Sequence, residues 1–187
     1  KDTSDATYQG SVFAGTYDVF YNPSGNCSQT GPLPCQRTLL RSGVNLNVSG
    51  SLDFDVKTVQ VSGKLTKNGA IVPDGSYRGS LVFESKQGGN RSMPSFKDNG
   101  EATYQGEIFA GTYDVRYQNS GSCSDRSSLP CQSIVIQEGV NLTVSGALDF
   151  NVKTVNLSGR LTKNGAMVPE GANRGYLSFE LKQGSAR

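Results

Sequence analysis

Shifting the 187-residue chain by 96 positions lays Ala6 on Ala102 and Arg91 on Arg187 without a gap, and 55 of the 86 superimposed pairs are identical. A fixed period of this kind constrains the fold more than any single motif, because both copies must be built as the same unit. The seven residues FAGTYDV, at Phe13 to Val19 and again at Phe109 to Val115, therefore belong to a repeated module rather than to two independent sites. The differences between copies fit that reading. Phe20 against Arg116, Asp55 against Asn151 and Ser80 against Tyr176 fall where alternation points outward. Val12 against Ile108 and Leu40 against Ile136 are small volume changes of the kind a core tolerates.

The module reads as β-structure. In VNLTVSGALDFNV the apolar residues Val140, Leu142, Val144, Leu148, Phe150 and Val152 share one parity, with polar residues between them. A single strand of that length would be far longer than usual, so Gly146 is expected to divide it. The parity then flips: Val155, Leu157 and Leu161 are odd-numbered, as are Val59, Val61 and Leu65 after Val56. A one-residue slip turns every side chain to the other face. Lys57-Thr58 and Lys153-Thr154 are thus expected to be bulges or, preferably, junctions between modules. Asn68-Gly69 and Asn164-Gly165 signal tight hairpin turns. GSLVFES and GYLSFEL read as strands with Leu81, Phe83, Leu177 and Phe179 inward. TYQGSVFAGTYDVFY reads as two strands pinched at Ala14-Gly15, with Tyr17, Val19 and Tyr21 on one face. No segment has a helical period, and many short strands with regular turns predict an all-β, antiparallel sandwich in each repeat.

Composition excludes much. The chain has 23 Gly, suited to turns needing positive φ, and no His. Without His there is no Ser-His or Cys-His nucleophile, and the commonest general base and metal ligand are missing. No catalytic residues, cofactor or metal site are therefore expected. The net charge of +2, with scattered Lys and Arg, argues against nucleic acid as a partner. No apolar run approaches the roughly 20 residues needed to span a bilayer, so a soluble chain is expected. The sequence starts at Lys1 with neither an initiator Met nor a signal-peptide pattern, as expected of a mature, processed or cropped piece.

The run VSGKLTKNGAIVPDG, GSLVFES, FKDNGEATYQGEIFAGTYDVRY and VNLTVSG resembles the carboxypeptidase regulatory-like domains. These are transthyretin-like, Ig-like β-sandwiches related in fold to the B-type repeats of collagen adhesins. The matching parts are VSGKLT as first strand, a DNG turn, and FAGTYDV in place of that family's PPGTY. The resemblance implies a spacer or binding module of a secreted or surface protein. It also implies a phase that agrees with the parity flip. Residues 58–153 would form one complete repeat, 1–57 the later strands of a preceding repeat, and 154–187 the early strands of a following one. The two end pieces add up to one domain lacking only the counterpart of Ser92 to Phe96. Three explanations fit: a crop of a longer tandem array or a piece cut at the same loop in successive repeats, a subunit whose tail strands complete the next subunit's head to form a filament, or ends that fold back on each other within one chain as a circular permutant. The Lys–Asn isopeptide bond of collagen adhesins would need Lys64 or Lys67. The second copy has Arg160 opposite Lys64, and no Glu follows GTYDV where that family places its acid.

Each repeat carries one C-x7-C pair, Cys27 with Cys35 and Cys123 with Cys131, in Ser-, Gly- and Pro-rich segments. A local disulfide closing a surface loop is the first reading, stabilising by about 2.5 kcal/mol on the chain-entropy model. It implies periplasm or cell exterior. Zinc would need pairs from separate modules, and redox pairs favour two intervening residues. The loops diverge most between copies at 28–32 and 124–128, so Gln29, Thr30, Asp125 and Arg126 are candidates for contact with a glycan or protein. Asp53 and Asp55, near Lys57, suit a solvated polar face, with calcium or acid chemistry as the alternative. Asp18 and Asp114 are expected to face solvent or bond a neighbouring turn. Asn26, Asn47, Asn90, Asn141 and Asn156 head glycosylation sequons.

The expected function is that of a non-enzymatic extracellular structural protein. It would be a tandem-repeat subunit of a surface stalk, adhesin or filament, with neighbouring copies of the repeat as head-to-tail partners. The alternatives are a glycan- or protein-binding module using the cysteine loops, or an accessory domain of a secreted enzyme.

Overall fold

The computed structural model describes residues 7–25, 31–73, 78–93, 96, 102–119, 128–171 and 175–181. It is all-β. Among the described residues there is no helix, hence none long and apolar enough to cross a membrane. The strands are β1 (Gly15–Tyr21), β2 (Thr38–Leu46), β3 (Thr58–Lys67), β4 (Ala70–Ile71), β5 (Ser80–Ser85), β6 (Asn90–Ser92) and β7 (Thr103–Phe109). They continue as β8 (Gly111–Gln118), β9 (Ile134–Leu142), β10 (Gly146–Ala147), β11 (Phe150–Val152), β12 (Thr162–Lys163) and β13 (Ala166–Met167).

Two sheets enclose one core. In the first, β3 is central, with β7 antiparallel on one side and β10 and β11 parallel on the other, while β4 turns back on the end of β3. The second has the order β6-β5-β8-β9, all antiparallel. Val59, Val61, Leu65, Tyr104, Ile108, Phe150 and Val152 of the first sheet meet Leu81, Phe83, Tyr113, Val115, Tyr117, Val140 and Leu142 of the second. Each large apolar side chain buried here is worth about 1.5–3 kcal/mol. Phe83 is central, its ring 5.9 Å from that of Tyr104, 6.2 Å from Tyr113 and 6.2 Å from Phe150. The buried hydrophobic cluster runs from Val59 to Val152.

Three expectations need correction. The sandwich is not wholly antiparallel, because the first and last strands of the unit, β3 and β11, lie side by side and parallel. The long apolar alternation breaks at Thr143 to Ser145, before Gly146, which instead opens β10; Val144 is consequently exposed despite its parity. Finally, the flanking copies of three expected strands are not strands. Thr7 to Phe13, 154–161 and 175–181 have no ladder, although their counterparts form β7, β3 and β5. A strand is stabilised by its cross-strand neighbours rather than by propensity alone, and among the described residues no strand lies alongside these segments.

Where local partners are present, the copies agree pair for pair. β1 and β2 match Gly15 to Leu46 through Tyr21 to Thr38, with the same two irregularities as β8 and β9, every residue number 96 lower. The β12–β13 hairpin repeats that of β3 and β4, with Asn164 at φ 51° against 52° for Asn68. Positive φ at both positions is what the tight turn demands, and Asn tolerates it.

Equivalent positions should therefore differ in energy. Replacing Phe83 by Ala is expected to cost about 3–5 kcal/mol in denaturant unfolding of the full chain at dilution. Replacing its counterpart Phe179 by Ala should change stability by less than about 0.5 kcal/mol.

Candidate functional site

Of the residues singled out in the sequence, Cys27, Gln29, Thr30, Cys123, Asp125 and Arg126 lie outside the described residues, as do Asn26 and the DNG turn. Cys35 and Cys131 are disulfide-bonded rather than free thiols. Among the described residues no cluster of three or more His, Cys, Asp or Glu is placed to hold a metal ion. Asp53, Asp55 and Lys57 are all exposed. What the fold brings together instead is two hydrogen-bonded stretches, around Lys57-Thr58 and around Thr154, and a set of uncovered apolar faces.

At the first, the Lys57 carbonyl accepts from Ala110 N at 2.8 Å, and the Thr58 hydroxyl donates to Glu107 Oε1 at 2.6 Å. At the second, the side chain of Asn68 holds Thr154 from both sides. Its Oδ1 accepts from Thr154 N at 2.8 Å, while its Nδ2 lies 3.1 Å from both the carbonyl and hydroxyl oxygens of Thr154. Asn151 Oδ1 accepts from Gly69 N at 2.8 Å, so the turn and the exiting strand grip each other. The sequence marked Asn68 as a turn residue but carried no sign of this second role. The side chain is free to clamp because the turn geometry points it across to the neighbouring strand.

The flanks repeat the core's apolar residues without its cover. Phe109, Val59 and Phe83 are 3%, 5% and 0% exposed, while Phe13, Val155 and Phe179 are 92%, 81% and 61% exposed. Tyr8, Val12, Leu157, Leu161, Leu177 and Leu181 are likewise open to solvent. The lining polar bonds are nevertheless already set in the head. Tyr8 OH donates to the Leu52 carbonyl as Tyr104 OH does to Leu148. Tyr17 OH donates to the Phe13 carbonyl at 2.5 Å, and Tyr113 OH to Phe109 at 2.6 Å.

The β1–β2 segment also rests on the two-sheet core. Tyr21 meets Phe109 edge-on at 5.5 Å, and Gln36 Nε2 donates to Tyr113 OH at 3.3 Å. Gly89, at φ 82°, lies against the Arg37 carbonyl so closely that a Cβ there would collide with it. At the other end, Gln132, the counterpart of Gln36, donates through Nε2 to the Phe179 carbonyl at 2.9 Å.

Electrostatics are modest and local. Asp114 bonds Lys86 and accepts from Gly139 N at 2.9 Å; the Lys86 contact first, then the amide, holds its carboxyl below the usual value. Asp18 is lowered in the same way by Ser42 and Gly43. Burial pushes the Tyr104, Tyr113 and Tyr117 hydroxyls upward, so all three stay neutral in the core, where Tyr104 and Tyr113 donate to the Leu148 and Phe109 carbonyls. Arg116 forks onto both Glu84 oxygens at 2.8 and 3.1 Å.

No family model matches the chain, and no curated protein does. Among solved structures it is similar to a DUF3823 family protein from Parabacteroides merdae, at 17% identity and a TM-score of 0.35, over 52% of this chain and 46% of that one. The match thus spans less than half of that protein's length, and a likeness this loose carries no argument here.

Two outcomes follow from these contacts. Asn68→Gly keeps the turn but removes the clamp, and should speed tryptic cutting after Lys153 about fivefold, equivalent to losing ~1 kcal/mol of local hydrogen bonding. Asp114 has a depressed pKa, so its contribution is present above the unfolded value near 4 and lost as pH falls through the folded one. The melting temperatures of the native chain and of Asp114→Asn should accordingly converge as pH is lowered from about 5 to 2.

Proposed function

We propose that the chain is a non-enzymatic structural protein of the cell exterior. It is built from 96-residue β-sandwich repeats that join head to tail in a stalk, adhesin or filament and close by strand complementation. In this reading 58–153 is one complete repeat, 1–57 the later strands of its predecessor and 154–187 the early strands of its successor. The confinement of the buried hydrophobic cluster between Val59 and Val152 supports those limits. Cys27 is assigned as the partner of Cys35, and Cys123 of Cys131, each closing a loop that persists only in an oxidising compartment.

The observation that carries the reading is the parallel pairing of β3 with β11, from Phe150 beside Leu65 to Val152 beside Lys67. A chain that runs in along β3 and out along a parallel neighbour leaves at the opposite end of the sandwich, still heading the same way. Repeats so connected extend along a line instead of doubling back. With ten residues in β3, each repeat advances the chain by about 33 Å. The clamp of Asn68 on Thr154 and the bond from Ala110 to Lys57 restrict bending at both ends. Such a geometry serves reach and stiffness.

Electron microscopy of the purified chain at increasing concentration tests this. Unbranched rods with an axial repeat of about 33 Å per module are expected. Compact particles of the single chain's mass at every concentration would refute it.

A further inference from the structure

Resting on that reading, we propose that the open head of this chain is completed by residues 154–171 and 175–181 of a second copy of the same chain, in one fixed register. Within a single chain the two flanks do not pair with each other among the described residues, and their apolar faces are exposed. The register follows from the closed repeat. There β3 meets β7 with Thr58 beside Phe109, Gln60 beside Glu107 and Lys64 beside Thr103. Moved by 96 residues, this sets Thr154 of one chain beside Phe13 of the next, Asn156 beside Ser11 and Arg160 beside Thr7. Likewise the pairing of Leu81 with Tyr117 and of Ser85 with Tyr113 becomes Leu177 with Tyr21 and Leu181 with Tyr17.

A glycine points independently to the same occupant. In the closed repeat a Cβ on Gly63 would strike the Leu148 carbonyl and the Tyr104 ring, so only glycine fits. Its counterpart Gly159 has nothing within 4 Å and no positive φ that would require glycine. Among the described residues, nothing in its own chain explains it. In the proposed register the missing neighbours are Leu52 O and Tyr8 of the second copy, already joined to each other by a hydrogen bond. The polar residues agree as well. Asp149 Oδ1 accepts from Lys64 N at 2.9 Å, and Asn151 Oδ1 from Thr66 Oγ1 at 3.0 Å and Gly69 N. Asp53 and Asp55 would meet Arg160 N, and Thr162 and Gly165, of the incoming strands. Two carboxylates that looked like a solvated patch thereby become acceptors for a donated strand. Asn164 would clamp Thr58 across the joint as Asn68 clamps Thr154.

The test uses the full chain. Gly159→Val should leave the thermal unfolding of the dilute chain unchanged and weaken self-association at least about tenfold, because the side chain collides only in the assembled state. Normal assembly by this variant would overturn the register while leaving the rod reading standing. Absence of assembly by the native chain would overturn both. Chains bearing Ser11→Cys and Asn156→Cys, mixed and mildly oxidised, should give a disulfide-linked pair at twice the chain mass, whereas Thr7→Cys with Asn156→Cys should not. Equal linkage from both mixtures would overturn the register. A chain carrying Ser11→Cys and Asn156→Cys together that links only to itself, at single-chain mass, would show the ends folding back and overturn the second-copy assignment.

Discussion

The first sheet depends on one ten-residue strand. β3 supplies hydrogen-bond partners to β7 on one edge and to β10 and β11 on the other, and its inward residues Val59, Val61 and Leu65 form the floor of the core. Where its counterpart is missing from the head, Thr7 to Phe13 forms no strand, although it differs from Thr103 to Phe109 at only two positions. Where its counterpart is present in the tail but has no neighbours, 154–161 forms none either. The same residues are ordered as sheet or left without it according to whether a partner lies alongside. Backbone donors and acceptors have to be paired or hydrated, and apolar side chains gain only when covered.

Contacts at both ends of the sandwich follow from that arrangement. Because β11 runs parallel to β3, the chain exits where the Asn68-Gly69 turn sits, and one side chain can both complete the turn's surroundings and fasten Thr154. The head meets the complete sandwich through Gln36, Arg37 and Tyr21, and Gln132 reaches the tail from the position equivalent to Gln36.

Much of this was legible in the sequence, for physical reasons that can be named. The alternation of Val59, Val61 and Leu65 marks a face, and burial follows. The Asn-Gly pairs mark positive φ, and both turns adopt it. The 96-residue period itself needs no structure. Parity could not reveal that β3 and β11 are parallel, since alternation is blind to strand direction. It also misassigned Val144, whose bend at Thr143 to Ser145 comes from residues with no strong breaker among them. The clamp by Asn68 and the acceptor roles of Asp149 and Asn151 were illegible because they join residues more than eighty apart. Gly159 was readable only by contrast: a glycine explained in one copy and unexplained in the other.

Hydrogen–deuterium exchange of the native chain, dilute and concentrated, tests the central claim most directly. The account requires amides in Thr58–Lys67 to be protected in both, and those in Thr7 to Phe13 and Thr154 to Lys163 to become protected only on concentration. If the flanking amides exchange identically in the two samples, whether fast or slow, no second copy is closing the sandwich and the account is wrong.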